Sequence, residues 1–492
     1  MAFIPTAFGR DAAPVIVDDG GGNAWSPVLQ HDCSFDSSIF TKVMLNLIKN
    51  PNINSSWLFR ADILTDRVVG GDLSVDVSHD DEPSNPPLFR GFKCDRLIVR
   101  RMIPRNTLRD APLDQTCLLY RGLNEPGDIR KTLVVYLPHV NSESEMPFYH
   151  PVVRGIGFLH EQDTCSPRRS VSIHYCYFNN ENIVSQKLTR TALNLLGVLH
   201  KHGEGQHAGY VKRVQHDVLV SQDVLQDRYT ALKQKYGRAL VNGWLETTDP
   251  AKHVFEDLCI AAFLIELWAD MYKGASFPGF VDIGCGNGLL VYILNQEGYK
   301  GWGFDARTRK SWSHYSTTGE DSLPSLRQLV LLPSVVSRGP PHNDDHLDLS
   351  EDGTHDGLFP RGTFIISNHA DELTPWTPIL ARLSECPFMM IPCCSHNLTG
   401  ARFRAPPPKD KSASKSTYCS LVSFVTDIAS DCGWQVEKEM LRIPSTRNTA
   451  LIGRRQLDTP PVDIETILSK YGGTQGYFEN VVKLLKSAPR GH

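Results

Sequence analysis

No stretch of this 492-residue chain combines the length and apolarity of a membrane span. Its most apolar long segment, 254–272, is broken by Glu256, Asp257, Glu266 and Asp270, whereas a span needs about 20 predominantly apolar residues. A largely buried helix is expected there instead. Paired cysteine motifs are lacking too: the 12 cysteines are scattered and none forms a CxxC pair. Pro5, Arg10, Asp11 and Pro14 stand where a secretory signal would need a continuous apolar core, so reduced thiols in the cytosol or nucleus are expected. Nor does one sign of charge dominate, since 51 Lys and Arg against 55 Asp and Glu leave a formal net charge of −4. That excludes a polycation binding nucleic acid with its whole surface and leaves phosphate contacts to a local patch. One such patch is legible, with Arg90, Lys93, Arg96, Arg100, Arg101, Arg105 and Arg109 against only Asp95 over 90–109. It suits either a phosphate backbone or a solvated strand face.

The length favours two or three domains. Residues 1–40 are rich in Gly, Pro, Asp and Ser around Gly20-Gly21-Gly22, which predicts a poorly ordered leader. Over 41–220 a helical spacing at 40–47 gives way to β-branched and aromatic runs such as Leu97-Ile98-Val99, Thr132-Leu133-Val134-Val135-Tyr136 and Ser170-Val171-Ser172-Ile173-His174-Tyr175. An α+β domain with antiparallel strands follows. Helical spacing returns at 183–200 and 222–244.

Over 221–456 the elements alternate. Helices are expected at 254–272, 289–297, from about 307, at 375–384 and at 421–432, and strands at 280–283, 302–305, 363–367, 388–392, 435–443 and 449–452. The alternation implies an α/β domain with a parallel sheet covered by helices on both faces. The polar run 339–362 reads as an inserted surface loop, and 402–415, with its prolines and lysines, as a mobile loop. The order helix, strand, returning strand at the end of the domain favours a methyltransferase sheet, since a dinucleotide-binding sheet finishes with parallel strands. An amphipathic helix over about 462–485 makes 457–492 a C-terminal helical extension.

The chemistry concentrates on Asp282-Ile283-Gly284-Cys285-Gly286-Asn287-Gly288, an apolar strand turning into a helix through alternating glycines. Gly284, Gly286 and Gly288 allow positive φ and let a ligand lie against bare main chain. Asp305, ending the next strand, would accept from the two hydroxyls of a ribose. The spacing D-x-G-x-G-x-G differs from the dinucleotide fingerprint G-x-G-x-x-G. Asp282 just before the turn suits the α-amino group of S-adenosylmethionine and would repel a pyrophosphate. A glycine turn that only packs strand on helix is the bland alternative.

After the fourth strand of the domain comes Ser367-Asn368-His369-Ala370-Asp371-Glu372-Leu373-Thr374-Pro375-Trp376, at the carboxyl edge where doubly wound sheets hold substrates. Asp371 is the first catalytic candidate, unless it merely caps the following helix. Cys393-Cys394-Ser395-His396 has ligand-like residue types, with His369 as a potential neighbour, yet no second CxxC supports a zinc site. Pocket-lining or buried thiols are expected there, and no metal ligand is assigned.

With Asp282 to Gly288, Asn368 to Trp376, Pro392-Cys393-Cys394 and Leu441-Arg442-Ile443-Pro444-Ser445-Thr446-Arg447-Asn448, the chain resembles the fungal tRNA (uracil-2′-O-)-methyltransferase family, which methylates the ribose of uridine 44 in serine tRNA. The segment Thr248 to Asp257 is also similar to the family's approach to the glycine turn. The resemblance implies a class I S-adenosylmethionine-dependent methyltransferase domain of Rossmann-like fold. It further implies a tRNA partner, a cytoplasmic location without a membrane, and an accessory protein in related enzymes. A ribose hydroxyl is a poor nucleophile at neutral pH, so transfer to it gains from a positioned base and a cation beside the forming alkoxide. Asp371 fits the base. Lys252 is the cation candidate, against the bland reading of an exposed lysine at a helix start. Arg442, Arg447 and Asn448 would orient the RNA backbone, although Arg442 could equally serve an intrachain ion pair. Two other readings stay open: a methyltransferase of another RNA or of protein, and a scaffold that keeps only the fold. An N/D-P-P-Y type motif, which would favour a nitrogen acceptor, is missing after Ile366.

Overall fold

The computed structural model describes residues 3–9, 12–20, 22–69, 86–107, 109–123, 129–163, 165–178, 185–210, 216–319, 322–336, 353–410, 414, 416–457 and 463–486. The chain divides into two compact units, Met1–Lys212 and Arg213–His492, in place of the expected boundary at 220.

In the first unit, strands β1 (Thr6–Ala7), β2 (Trp25–Asp32), β3 (Leu58–Val68), β4 (Phe92–Pro104), β5 (Leu113–Gly122), β6 (Arg130–Pro138), β7 (Gly155–Gln162) and β8 (Arg169–Cys176) form, among the described residues, one antiparallel sheet of order β1-β2-β8-β7-β6-β5-β4-β3. Helices α1 (Ser37–Lys49) and α2 (Gln186–His207) bury Phe40, Val43, Met44, Leu196 and Leu199 against one face of it. The α1 start is set by Asp36, whose carboxylate accepts from Ser38 N and Ile39 N. On α2, a Cβ at Gly203 would lie 2.3 Å from the Phe35 ring, so only glycine permits this approach.

One expectation changes in this unit, and one open alternative narrows. Much of the supposed leader belongs to the sheet, because the Gly and Pro residues mark turns around a strand whose Trp25 is buried. Three of the seven cations of the basic patch on 90–109 are paired: Arg90 with Asp19, Arg96 with Asp66 and Arg101 with Asp114 at 2.7–2.8 Å. Arg100 is buried and donates to Leu47 O, Ile48 O and Gln115 Oε1. It closes the carbonyl end of α1, where a cation is favoured.

The second unit begins with α3 (Gln222–Leu232), α4 (Arg238–Asn242) and α5 (Pro250–Met271). It continues with β9 (Phe280–Ile283), α6 (Leu289–Gln296), β10 (Gly301–Asp305), α7 (Trp312–Tyr315), β11 (Leu326–Gln328), β12 (Val330–Leu331) and β13 (Thr354–His355). The remainder is β14 (Phe364–Asn368), α8 (Thr377–Leu383), β15 (Phe388–Ile391), α9 (Thr417–Asp431), β16 (Trp434–Met440), β17 (Thr449–Gln456), α10 (Ile464–Lys470) and α11 (Tyr477–Lys486). Its main sheet has the order β11-β10-β9-β14-β15-β17-β16. Strands β11, β10, β9, β14 and β15 pair in parallel, while β17 runs antiparallel to both β15 and β16. Phe280 faces a core built with α5 and α6, and Val281 and Ile283 face one built with α8 and α9. Near-continuous apolar strands follow from this two-sided burial. Winding reverses between β9 and β14, so a crevice opens at the carboxyl ends of these two strands.

The terminal segment is two helices, divided where Gly472, Gly473 and Gly476 take positive φ. Ile467, Leu468, Tyr477 and Val481 join the core, so 457–492 holds helices of this unit and not an appendage. The acidic part of the insertion, 344–352, lies outside the described residues, whereas Thr354–His355 pairs with Val330–Leu331.

Candidate functional site

The three glycines of the turn after β9 have φ of +73° (Gly284), +53° (Gly286) and +77° (Gly288), values that disfavour any side chain. Their surroundings differ. A Cβ at Gly288 would lie 2.4 Å from Leu326 Cδ1 and one at Gly284 3.0 Å from Ala370 Cβ, whereas one at Gly286 meets nothing within 4 Å. Gly284 and Gly288 therefore serve close packing, and Gly286 leaves main chain open to a ligand. The turn is held from behind. Gly284 N and Cys285 N donate to Phe304 O at 2.8 and 3.0 Å, Trp312 Nε1 donates to Gly286 O at 2.9 Å, and Ser311 Oγ donates to Asn287 O at 2.8 Å.

Carboxyl groups gather beside it. Asp305 Oδ2 accepts from Gly286 N and Oδ1 from Arg307 N, each at 3.1 Å. A carboxylate has about four lone-pair sites, so it retains capacity for hydroxyl donors. Asp282 is 2 % exposed, and its Oδ1 is buried without a hydrogen-bond partner among the described residues. Burial, then the nearby Asp257 and Asp305, push its pKa well above the usual carboxylate range. Asp257, on α5, is pushed up to about 8 by burial and by Glu256, against a lowering hydrogen bond from Asn287. A buried acceptor without a donor, in a field of like charges, fits a cationic ligand. S-adenosylmethionine brings that charge, and Asp282, Asp305 and the open main chain at Gly286 fit it.

The loop leaving β14 closes over the turn through Ala370. His369 and Asp371 adopt φ of +53° and +48°, a left-handed conformation uncommon outside glycine that clusters at functional sites. His369 Nε2 lies 3.1 Å from Glu256 Oε1, and Glu256 is buried on α5. Asp371 turns the other way: Cys393 Sγ donates to its Oδ1 at 3.0 Å. Burial, followed by the charge of Asp371, raises the Cys393 thiol, and burial followed by a hydrogen bond to Asp371 raises that of Cys394.

The other candidates are placed as follows. Lys252 is exposed in the first turn of α5, where the Asp249 side chain accepts from its backbone amide. It precedes Glu256 by four residues and so shares a helix face with it. Arg442 is committed to a two-point ion pair with Asp217, and Glu439 holds the backbone amides of Asp217, Val218 and Leu219 at 2.8 Å. The intrachain reading thus describes Arg442. Asn448 Nδ2 donates to Leu441 O at 2.9 Å, closing the turn between β16 and β17. Arg447 lies over the Tyr418 ring, 4.6 Å from its centroid. Because β17 pairs antiparallel with β15, this turn reaches the same carboxyl edge as Asp371. Glu256, Asp257 and His369 went unassigned in the sequence. The signal was there for the acids, two adjacent carboxylates inside an otherwise apolar helix.

Comparison with known proteins accounts for both units. Residues 6–213 match the family described as "TRM44-like, N-terminal bet v1-like domain" and residues 219–329 the family described as "Predicted AdoMet-dependent methyltransferase". A Neurospora crassa protein named tRNA (uracil-O(2)-)-methyltransferase is 59 % identical over 496 residues, covering 99 % of this chain and 98 % of its own. The chain belongs to the tRNA (uracil-O(2)-)-methyltransferase family. Relatives of the same name in Schizosaccharomyces pombe and Saccharomyces cerevisiae are 40 % and 37 % identical, covering 97 % and 98 % of this chain and 96 % and 97 % of theirs. This family member is therefore an enzyme with a bet v1-like N-terminal domain and a methyltransferase C-terminal domain, and S-adenosylmethionine is its methyl donor. No solved structure matches the chain. Among the described residues no helix is long and apolar enough to cross a membrane.

Proposed function

We propose that the chain methylates the ribose 2′-oxygen of uridine 44 in tRNA, with serine tRNA as substrate, on a class I methyltransferase domain. The observation that carries this reading is the packing of the His369–Asp371 loop against the glycine turn that follows Asp282, whose Oδ1 has no hydrogen-bond partner among the described residues. It brings candidate donor and acceptor groups to one carboxyl edge. Support for the class I fold comes from a sheet in which only β17 is reversed, and from the switch point between β9 and β14.

When bound, S-adenosylmethionine supplies a methyl group on a positively charged sulfur. In this reading Asp282 accepts from its ammonium, Asp305 from its ribose hydroxyls, and Gly286 lets it lie on the main chain of a turn that Gly284 and Gly288 pack in place. The hydroxyl proton has two candidate acceptors at this edge. Asp371 is one. His369 is the other, since a carboxylate at Nε2 fixes the tautomer that leaves Nδ1 as the accepting atom, and an imidazole suits proton transfer at neutral pH. Glu256 orients it. Lys252, on the Glu256 face of α5, stabilises the forming alkoxide. Arg447 contacts RNA phosphate, with Arg442 and Asn448 shaping the turn that carries it.

The reading includes a cytoplasmic location and an accessory protein as partner, checked by fractionation and by co-purification with the tagged chain. The deciding experiment is transfer of labelled methyl to total tRNA from a strain lacking its own enzyme, followed by mapping of the modified nucleotide. Label at uridine 44 of serine tRNA that disappears with a 2′-deoxy target is the expected result. Label on a base, on another RNA or on protein would refute it, and cofactor binding without any transfer would indicate a scaffold.

A further inference from the structure

Two neighbouring strands, β14 and β15, end in loops that bring together three side chains of metal-ligand type. Asp371 follows one strand, and Cys393 and Cys394 follow the other. One carboxylate oxygen and the two Sγ atoms all lie within 4.8 Å of one another, and each residue is partly exposed. Asp371 is delivered to the pair by a backbone at φ +48°, a conformation that disfavours a side chain and that the surrounding structure must hold in place. In tetrahedral zinc sites, with Zn–S near 2.3 Å and Zn–O near 2.0–2.2 Å, neighbouring ligand atoms stand about 3.3–3.8 Å apart. The Cys393 Sγ to Asp371 Oδ1 distance of 3.0 Å and the 4.8 Å span of the trio bracket that spacing.

We propose that Asp371, Cys393 and Cys394 form a binding site for one zinc-class divalent cation. Two sulfur ligands select a borderline-soft ion over magnesium or calcium, which take oxygen ligands. Three protein ligands leave the fourth tetrahedral position open, as in zinc sites that hold a water or a substrate atom. The balance is simple. The ion displaces the two thiol protons, which are released to solvent, and two thiolates with one carboxylate leave the site at a net charge of −1. No electron is transferred. The site stands independently of which acceptor the enzyme methylates, because its readout is the ion itself, and with the ion bound Asp371 is a ligand and His369 is the candidate proton acceptor.

The test uses the full-length chain, stripped of metal by chelation and dialysis and then titrated with zinc or cobalt(II). The expected result is one equivalent bound, two protons released per zinc in weak buffer, and a thiolate-to-cobalt charge-transfer absorption in the near ultraviolet. Cys394→Ser and Asp371→Asn should each weaken cobalt binding by more than about 10-fold, while Cys419→Ser, a cysteine outside the trio, leaves it unchanged. S-adenosylmethionine binding and circular dichroism report that each variant is folded. Absence of stoichiometric zinc or cobalt uptake by the wild-type chain overturns the proposal, as does wild-type affinity in both Cys394→Ser and Asp371→Asn.

Discussion

Asp282→Asn separates the cost of a buried carboxyl from its use. The side chain is 2 % exposed, its Oδ1 has no hydrogen-bond partner among the described residues, and its acidic neighbours Asp257 and Asp305 add like charge. An asparagine of the same shape therefore removes a liability from the cofactor-free fold. Because the folded pKa lies above the ordinary value, the carboxyl costs the fold nothing below the ordinary carboxylate range. The cost grows as pH rises from there towards the folded value, so the variant's relative gain in stability increases with pH. Cofactor binding moves in the opposite direction. Truncating one partner of a buried, hydrogen-bonded charge pair costs about 2–5 kcal/mol, and taking about 3 kcal/mol at 1.4 kcal/mol per tenfold gives roughly 100-fold weaker binding. Calorimetric titration with S-adenosylmethionine and thermal melts of the unliganded protein at two pH values measure both. Affinity within twofold of wild type would refute the assignment of Asp282 to the cofactor. A fall of more than about 4 °C in the unliganded Tm, equivalent to roughly 1 kcal/mol or more for a domain of this size, would show that the carboxylate has a structural partner.

The pKa of about 8 at Asp257 makes cofactor binding proton-linked. The raised acid holds a proton below that value, and a nearby bound cation favours its ionised form, so the proton passes to solvent on binding; affinity should rise up to about pH 8, and titrations in buffers of different ionisation enthalpy should report proton release, whereas binding that weakens as pH rises contradicts this. His369→Ala should lower kcat by about 10²–10⁴-fold with little change in cofactor affinity, and Glu256→Gln, which weakens the hydrogen bond at Nε2, should lower kcat by less; wild-type turnover in His369→Ala leaves Asp371 as the base, and Asp371→Ala is then the variant expected to bind cofactor without transfer. Gly288→Ala places a Cβ 2.4 Å from Leu326 at φ +77°, adding left-handed strain and overpacking of together about 3 kcal/mol, so its chemical-denaturation midpoint should fall well below that of Gly286→Ala, which meets no neighbour within 4 Å.

Local signals were readable because they depend on few neighbours. Alternating glycines fix positive φ wherever the chain folds, and the apolar runs of β9, β14 and β15 record burial on both faces. The errors arose where a partner lay far along the chain. Trp25 sits among turn residues in a composition typical of disorder, and only its pairing with Cys176 reveals a strand. Arg96 and Arg101 look like a cationic face until Asp66 and Asp114 arrive from neighbouring strands. Arg442 stood open between RNA and an intrachain ion pair, and Asp217, more than two hundred positions earlier, decides for the pair by taking both arms of its guanidinium. The single expected terminal helix became two because glycines at 472, 473 and 476 turn the backbone between them.

The sequence by itself determined the donor, since D-x-G-x-G-x-G followed by Asp305 specifies a turn and two acids whose geometry is local to two adjacent strands. It also carried the family resemblance, on motifs that cover roughly residues 222–455. Tertiary structure alone decided which polar groups meet. Glu256 reaches His369 across 113 positions, and Asp371 reaches Cys393 across 22, because α5 packs beside the sheet and β14 lies next to β15. Such encounters leave no spacing in the chain. They are set by strand order and by the burial that makes a lone acid seek a partner.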